Sequence, residues 1–286
     1  FSSMNLEKVE DSDPRFRHKP INIGRVLGIH ESAIKMGEGN HENLDIKYID
    51  IVITERCTMK CTDCSNLMQY YDKPIHNDLD LVLKSIKKMM SCIEKVFEFR
   101  VIGGEPLFNK DFHIIMSELL SYENASRVVI YTNATIFPKR ENLECLNHKK
   151  VSLDITNYGE LSRNHEKLLL FLDEHDIDYV THRATTWTDS GRIKFRNKNV
   201  EELTDMFLNC CVGDVLSLLN GKLYRCPFSA NAHNLNAIPR NPEDVIDLTD
   251  ESMSHEELKE SIERLYTRKE KKKYLTACKF CGGRDF

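Results

Sequence analysis

The chain has 286 residues, 41% of them apolar and 30% charged, with a formal net charge of −5, pI near 6.2 and mean hydropathy −0.45. This balance argues against a basic nucleic-acid surface or an anionic-membrane surface, and no run approaches the roughly 18 consecutive apolar residues of a membrane helix. Ten cysteines in a chain read as having no secretory leader point to cytoplasmic ligand thiols rather than a disulfide framework.

Residues 1–46 are polar and mixed and carry no firm fold signal; Phe1-Ser2-Ser3 ahead of Met4 is set aside as a cloning remnant. From "IKYIDIVIT" (46–54) the pattern becomes strand, loop, helix, strand. Leu79, Val82, Leu83, Ile86, Met89 and Met90 recur at helical spacing behind Asn77 or Asp78 as a cap. "VFEFRVIGGEP" reads as a buried strand ending in a glycine turn. "FHIIMSELL" reads as a helix, "RVVIYTNAT" and "VSLDITN" as strands, "EKLLLFLDEH" as a helix and "IDYVTHRAT" as a fifth strand. Strands alternating with helices predict parallel βα units, with five or six strands and not a complete eight-stranded barrel.

A boundary is predicted near residue 205. Beyond it "VLSLLNGKLYRCP" reads as a hairpin turning at Asn220-Gly221. Ser254 and Glu257 form a capping box for a helix lined by Leu258, Ile262 and Leu265. The run "RKEKKK" (268–273) reads as a solvated face.

The chemistry concentrates in cysteines. Cys57, Cys61 and Cys64, spaced C-x3-C-x2-C, fall in the loop leaving the first strand, at the sheet edge where parallel α/β folds carry their sites. A zinc knuckle would need a fourth ligand, and His76 is a poor spacing match. Three thiolates on a four-iron cluster would leave one iron open to a further ligand.

With that triad the chain resembles the radical S-adenosylmethionine (SAM) superfamily. The family implies a [4Fe-4S] cluster on Cys57, Cys61 and Cys64, whose open iron chelates SAM. Reductive cleavage then yields a deoxyadenosyl radical that takes hydrogen from a substrate. Asp63 departs from the family pattern, which usually has an aromatic residue before the third cysteine. "GGEP" (103–106) closes the second strand, and the resemblance assigns the cofactor's amino group to Gly103, Gly104 and Glu105. "YTNAT" and "VSLD", taken as the ends of the third and fourth strands, make Thr132, Asn133, Ser152 and Asp154 candidates for its ribose and carboxylate.

A second set comprises Cys211-x9-Gly221-x4-Cys226 and Cys278-x2-Cys281, with Cys210 as an alternative to Cys211. By spacing alone it fits a zinc ribbon or an iron–sulfur cluster equally. It is similar to the twitch module, a shortened SPASM domain holding one auxiliary [4Fe-4S] cluster. Cys92 and Cys145 read as packing residues, and the spare member of the 210/211 pair as a thiol able to return hydrogen to a substrate radical.

The expected fold is therefore α/β, a partial (βα)6 TIM-like barrel with a small C-terminal α+β module. Its expected divisions are an extension (1–46), the barrel (47–205) and a twitch-like module (206–286) covering the barrel mouth. The resemblance implies a sugar-like or aminocyclitol substrate oxidised at an alcohol carbon, with epimerisation or peptide modification as alternatives. It also implies flavodoxin or ferredoxin as electron donor. A zinc-binding or electron-carrier protein is the non-enzyme alternative. Trp187 and Asp189 in "TTWTDSG" are the substrate-side candidates, since an aromatic face beside an acid suits a polyol, and "ITNYG" (155–159) is a weaker one.

Overall fold

The computed structural model describes residues 43–184, 192–267 and 274–283. Trp187, Asp189 and the basic run at 268–273 lie outside the described residues, as does nearly all of the N-terminal extension. Strands β1 (Asp45–Val52), β2 (Lys95–Ile102), β3 (Ala125–Thr132), β4 (Val151–Asn157) and β5 (Asp178–Arg183) run parallel in chain order. Helices α1 (Leu79–Met90), α2 (Phe112–Leu120), α3 (Leu143–Leu146) and α4 (His165–Glu174) connect them. Asp78 rather than Asn77 caps α1, accepting from Leu81 N at 2.9 Å.

The sixth parallel strand, β6 (Val215–Leu219), pairs with β1 rather than β5, with Tyr48 opposite Val215. It follows α5 (Val200–Leu208), which contains residue 205, so the sheet runs on across the expected boundary. Asn220 (φ 48°) and Gly221 (φ 76°) turn it into antiparallel β7 (Lys222–Tyr224), and β8 (Val245–Asp247) completes an open sheet ordered β5-β4-β3-β2-β1-β6-β7-β8. The described residues thus form an unclosed α/β barrel with six parallel strands. Helix α6 (Pro227–Asn234) lies between β7 and β8, and α7 (His255–Thr267) follows, with Leu258 and Ile262 buried behind the Ser254–Glu257 capping box.

Alternation along the strands separates two faces. Ile49, Ile51, Phe99, Val101, Val128, Ile130, Leu153 and Ile155 pack with the helices in the main core. The other face carries Asp50, Glu98, Arg100, Tyr131 and Asp154, whose charges interact across it. Cys92 and Cys145 are buried in the core, as expected of packing residues. Among the described residues no helix is long and apolar enough to cross a membrane.

Candidate active site

The triad loop leaves β1 at the C-terminal edge of the sheet and is fastened there by backbone bonds. Gly104 N donates to Thr54 O at 2.9 Å and Glu105 N to Arg56 O at 2.8 Å. A Cβ on Gly103 would stand 2.3 Å from Thr54 O, and one on Gly104 would stand 2.1 Å from Arg56 O. The close approach that requires these glycines is thus to the base of the cysteine loop. Three asparagine amides occupy strand-end carbonyls around it. Asn77 reaches Val52 O (2.5 Å), Asn109 reaches Ile53 O (2.7 Å) and Asn66 reaches Gly103 O (3.1 Å). Sequence reading missed their role, because an asparagine in a loop carries no signal of which distant carbonyl it meets.

Glu105 is fully buried. Its carboxylate accepts from Thr132 Oγ1 (2.9 and 3.0 Å), Asn133 N (2.9 Å) and Leu107 N (3.1 Å). Burial pushes it up to about 7, and those donors pull the other way. Glu105 therefore joins the β2 end to the β3 end. Asn133 in turn points its Nδ2 at Cys57 Sγ (3.6 Å), which also receives Met59 N at 3.4 Å. The triad is one electrostatic unit: Cys57 feels Glu105, Cys64 and Cys61. Burial pushes the Cys57 thiol up to about 11 and raises Cys61 and Cys64 as well. Tyr158, just past β4, senses the charge of all three cysteines and hydrogen-bonds Thr156. Asp63 meets Arg192 in a two-point pair at 2.5 and 3.0 Å.

The remaining candidates divide by level. Thr132 ends β3 and lies opposite Ile155, whereas Asp154 lies opposite Tyr131 and Ser152 opposite Val129. Strand β4 continues past Asp154 to Asn157, so Ser152 and Asp154 sit below the Thr132–Asn133 level. The residue after the β4 end, Tyr158, is the one that senses the triad's charge.

The second thiol set gathers around a cavity of about 430 Å³ lined by Cys210, Cys211, Cys226, Cys278 and Cys281. Cys226 caps α6, taking Ser229 N at 3.3 Å, and feels Cys210, Cys278 and Cys281. Cys278 and Cys281 likewise feel Cys210, while Cys211 is exposed. Cys210 is thus the member of the pair whose charge the other three thiols sense. Burial raises Cys226 far up and Cys278 to about 12. Thiol-only donors, N–H groups aimed at sulfur and a cavity of this size suit iron–sulfur clusters.

The fold, a parallel open sheet with a three-cysteine loop at the end of its first strand, is shared with solved structures. No family model matches the chain. Among solved structures it is similar to BtrN in complex with AdoMet and 2-DOIA (16% identity, TM-score 0.53, 82% of this chain and 92% of that one). It is also similar to anSMEcpe with bound AdoMet (12% identity, TM-score 0.50, 78% and 82%). By sequence it resembles the GTP 3′,8-cyclases of Campylobacter jejuni (31% over 121 residues, 37% of each chain) and Mannheimia succiniciproducens (32% over 91 residues, 30% of this chain and 26% of that one). The match thus covers well under half the length of these curated relatives.

Proposed function

We propose that the protein is a radical SAM enzyme that oxidises an alcohol carbon of a sugar-like or aminocyclitol substrate. The observation that carries this reading is the convergence of Cys57, Cys61 and Cys64 with Asn133, Glu105 and Tyr158 at one sheet edge, beside a second four-thiol set. With a [4Fe-4S] cluster on the triad and SAM bound to it, the site supplies hydrogen-atom abstraction from a substrate C–H bond. Gly103, Gly104, Glu105, Thr132 and Asn133 border the cofactor. Glu105 holds the β2 and β3 ends in register, and Asn133 donates to the Cys57 sulfur, which lowers the charge density there. Cys210, Cys226, Cys278 and Cys281 hold the auxiliary cluster, the sink for an electron from the substrate, and a flavodoxin or ferredoxin supplies the reducing electron. Ser152 and Asp154 remain the candidates on β4 for the cofactor's ribose and carboxylate, and Trp187 and Asp189 the candidates for the substrate. The likeness to BtrN supports the aminocyclitol class.

Anaerobic reconstitution tests this reading. About eight irons per chain are expected, falling to about four when the three triad cysteines become alanine. Dithionite is expected to cleave SAM to deoxyadenosine, and Cys61→Ala to abolish that. Zinc without iron would sink the enzyme reading. Turnover in deuterated water separates oxidation, which gives a carbonyl, from epimerisation, which fixes solvent deuterium at carbon.

A further inference from the structure

At the triad, Cys57 meets a side chain from another element, and that side chain is itself oriented by a further one. Asn133, the residue after β3, directs its Nδ2 to Cys57 Sγ at 3.6 Å. Its Oδ1 is taken twice by Thr135, from the backbone N–H at 3.0 Å and from the hydroxyl at 2.5 Å. An amide oxygen only accepts and an amide nitrogen only donates. Turned over, the amide would set its NH2 against two donors and its oxygen against the sulfur. Thr135 therefore decides which end of Asn133 faces Cys57.

The same rule orders the bonds behind Thr135. Its one hydroxyl proton goes to Asn133, so in the contact between Thr58 Oγ1 and Thr135 Oγ1 the donor is Thr58. Thr58 follows Cys57 in the triad loop. Two hydroxyls and an amide thus form a circuit that leaves the cysteine loop at Thr58 and returns to it at Cys57 Sγ, each bond donated toward the sulfur. Bonds aligned in this way polarise one another, so the N–H that ends on sulfur is strengthened by those behind it.

The backbone around the circuit is pinned. Asn133 N donates to Glu105 Oε2 at 2.9 Å, and the Asn133 carbonyl accepts the Ser162 hydroxyl at 2.7 Å. Ala134 turns the chain in the left-handed region (φ 55°), its carbonyl taking Asn164 N at 3.0 Å. Thr135 is buried, and its carbonyl takes Asn164 Nδ2 at 2.6 Å. Asn164, the residue before α4, thereby holds the Thr135 hydroxyl at the Asn133 amide.

We propose that Thr135 is a positioning residue which, by orienting Asn133, raises the reduction potential of the cluster held on the triad. A hydrogen bond to a ligand sulfur draws off negative charge and so favours the reduced cluster. This inference rests on the iron–sulfur reading of the triad given above and assigns a residue to which that reading gives no role.

The test is the reduction potential of the reconstituted protein, followed by EPR at poised potentials. The triad cluster is recognised by the change in its signal when SAM is added, since three thiols leave one iron open; its potential is then measured without SAM. Asn133→Ala, which removes the donor, is expected to lower that potential. Thr135→Val keeps the shape and loses the hydroxyl, and is expected to lower it by a smaller step; Thr135→Ser should keep the wild-type value. In the Asn133→Ala background Thr135→Val should add nothing, because its effect passes through the amide. An unchanged potential in Thr135→Val, or the same drop with and without Asn133, overturns the assignment and leaves the cluster reading standing. Should Thr135→Val fail to load iron, Thr58→Val at an exposed position reads the same circuit. A lowered potential there supports the assignment and an unchanged one overturns it. If no SAM-responsive cluster forms on the wild-type triad, both readings fall.

Discussion

Asp50 lies on β1 with its carboxyl fully enclosed, and burial lifts it from the ordinary carboxylate range to about 7 against the pull of Arg100 and Ser217. A carboxyl raised on folding contributes stability that is whole below the unfolded value near 3.8 and is lost as pH rises through about 7. Asp50→Asn, never charged, lacks that loss. Its unfolding midpoint relative to wild type is expected to climb between about pH 4 and 7 and then level off; urea melts at pH 4.5 and 8 check this, and a constant difference would refute it. Gly104 is a different case, since a methyl group there meets a backbone carbonyl that the Glu105–Arg56 bond holds in place. Gly104→Ala is expected to cost on the order of 3 kcal/mol and to lower triad iron occupancy. At Asp63 a sequence departure finds a physical account. The Arg192 pair holds its carboxyl below the usual range and ties the triad loop to the segment before α5.

Where α5 ends, Cys210 and Cys211 are adjacent in sequence and distinct in space. Cys210 senses Cys226, Cys278 and Cys281, and Cys211 is exposed at the cavity edge. Cys210→Ala is expected to remove about four irons per chain and Cys211→Ala to leave the iron content unchanged, measured by iron assay on anaerobically reconstituted protein. The converse result would reverse the assignment. Spacing could not decide between them, because the two are adjacent and either satisfies a window of nine or ten residues before Gly221. Elements set by local chemistry were legible: the Ser254–Glu257 box, the Asn220-Gly221 turn and the α1 stripe all follow from neighbouring residues. The triad and the glycine motif were legible for the same reason, as contiguous spacings. What the glycines approach was not legible, nor were the carbonyls met by Asn66, Asn77 and Asn109, because each depends on a partner in another element. The place of β6 beside β1 was equally hidden, since "VLSLL" is apolar enough for either sheet edge.

Across the whole molecule, β6 makes the two cysteine sets parts of one sheet, and a buried polar network fixes their relation. Glu55, two residues before Cys57, accepts Asn234 Nδ2 at 2.8 Å and Ile75 N at 3.1 Å. The same amide reaches the Tyr71 hydroxyl at 3.0 Å, and that hydroxyl donates to Asn231 Oδ1 at 2.8 Å. Asn220, at the hairpin turn, donates to Asn234 Oδ1 at 2.8 Å. Helix α6, which Cys226 caps, is thereby bound to the loop that holds the triad. Asn234→Ala removes one hub and leaves Glu55, Tyr71 and Asn220 each short of a partner. A cost of about 1–3 kcal/mol is expected from such unsatisfied groups. If the network only stabilises the fold, both clusters will stay at full occupancy and electron transfer between them will keep its wild-type rate. If it sets the spacing of the two sites, electron transfer between the reconstituted clusters, followed by rapid-freeze EPR after reduction, will slow while both clusters remain at full occupancy. The second result is expected, because Asn234 belongs to the helix whose N-terminus Cys226 caps, and Glu55 to the loop that positions Cys57.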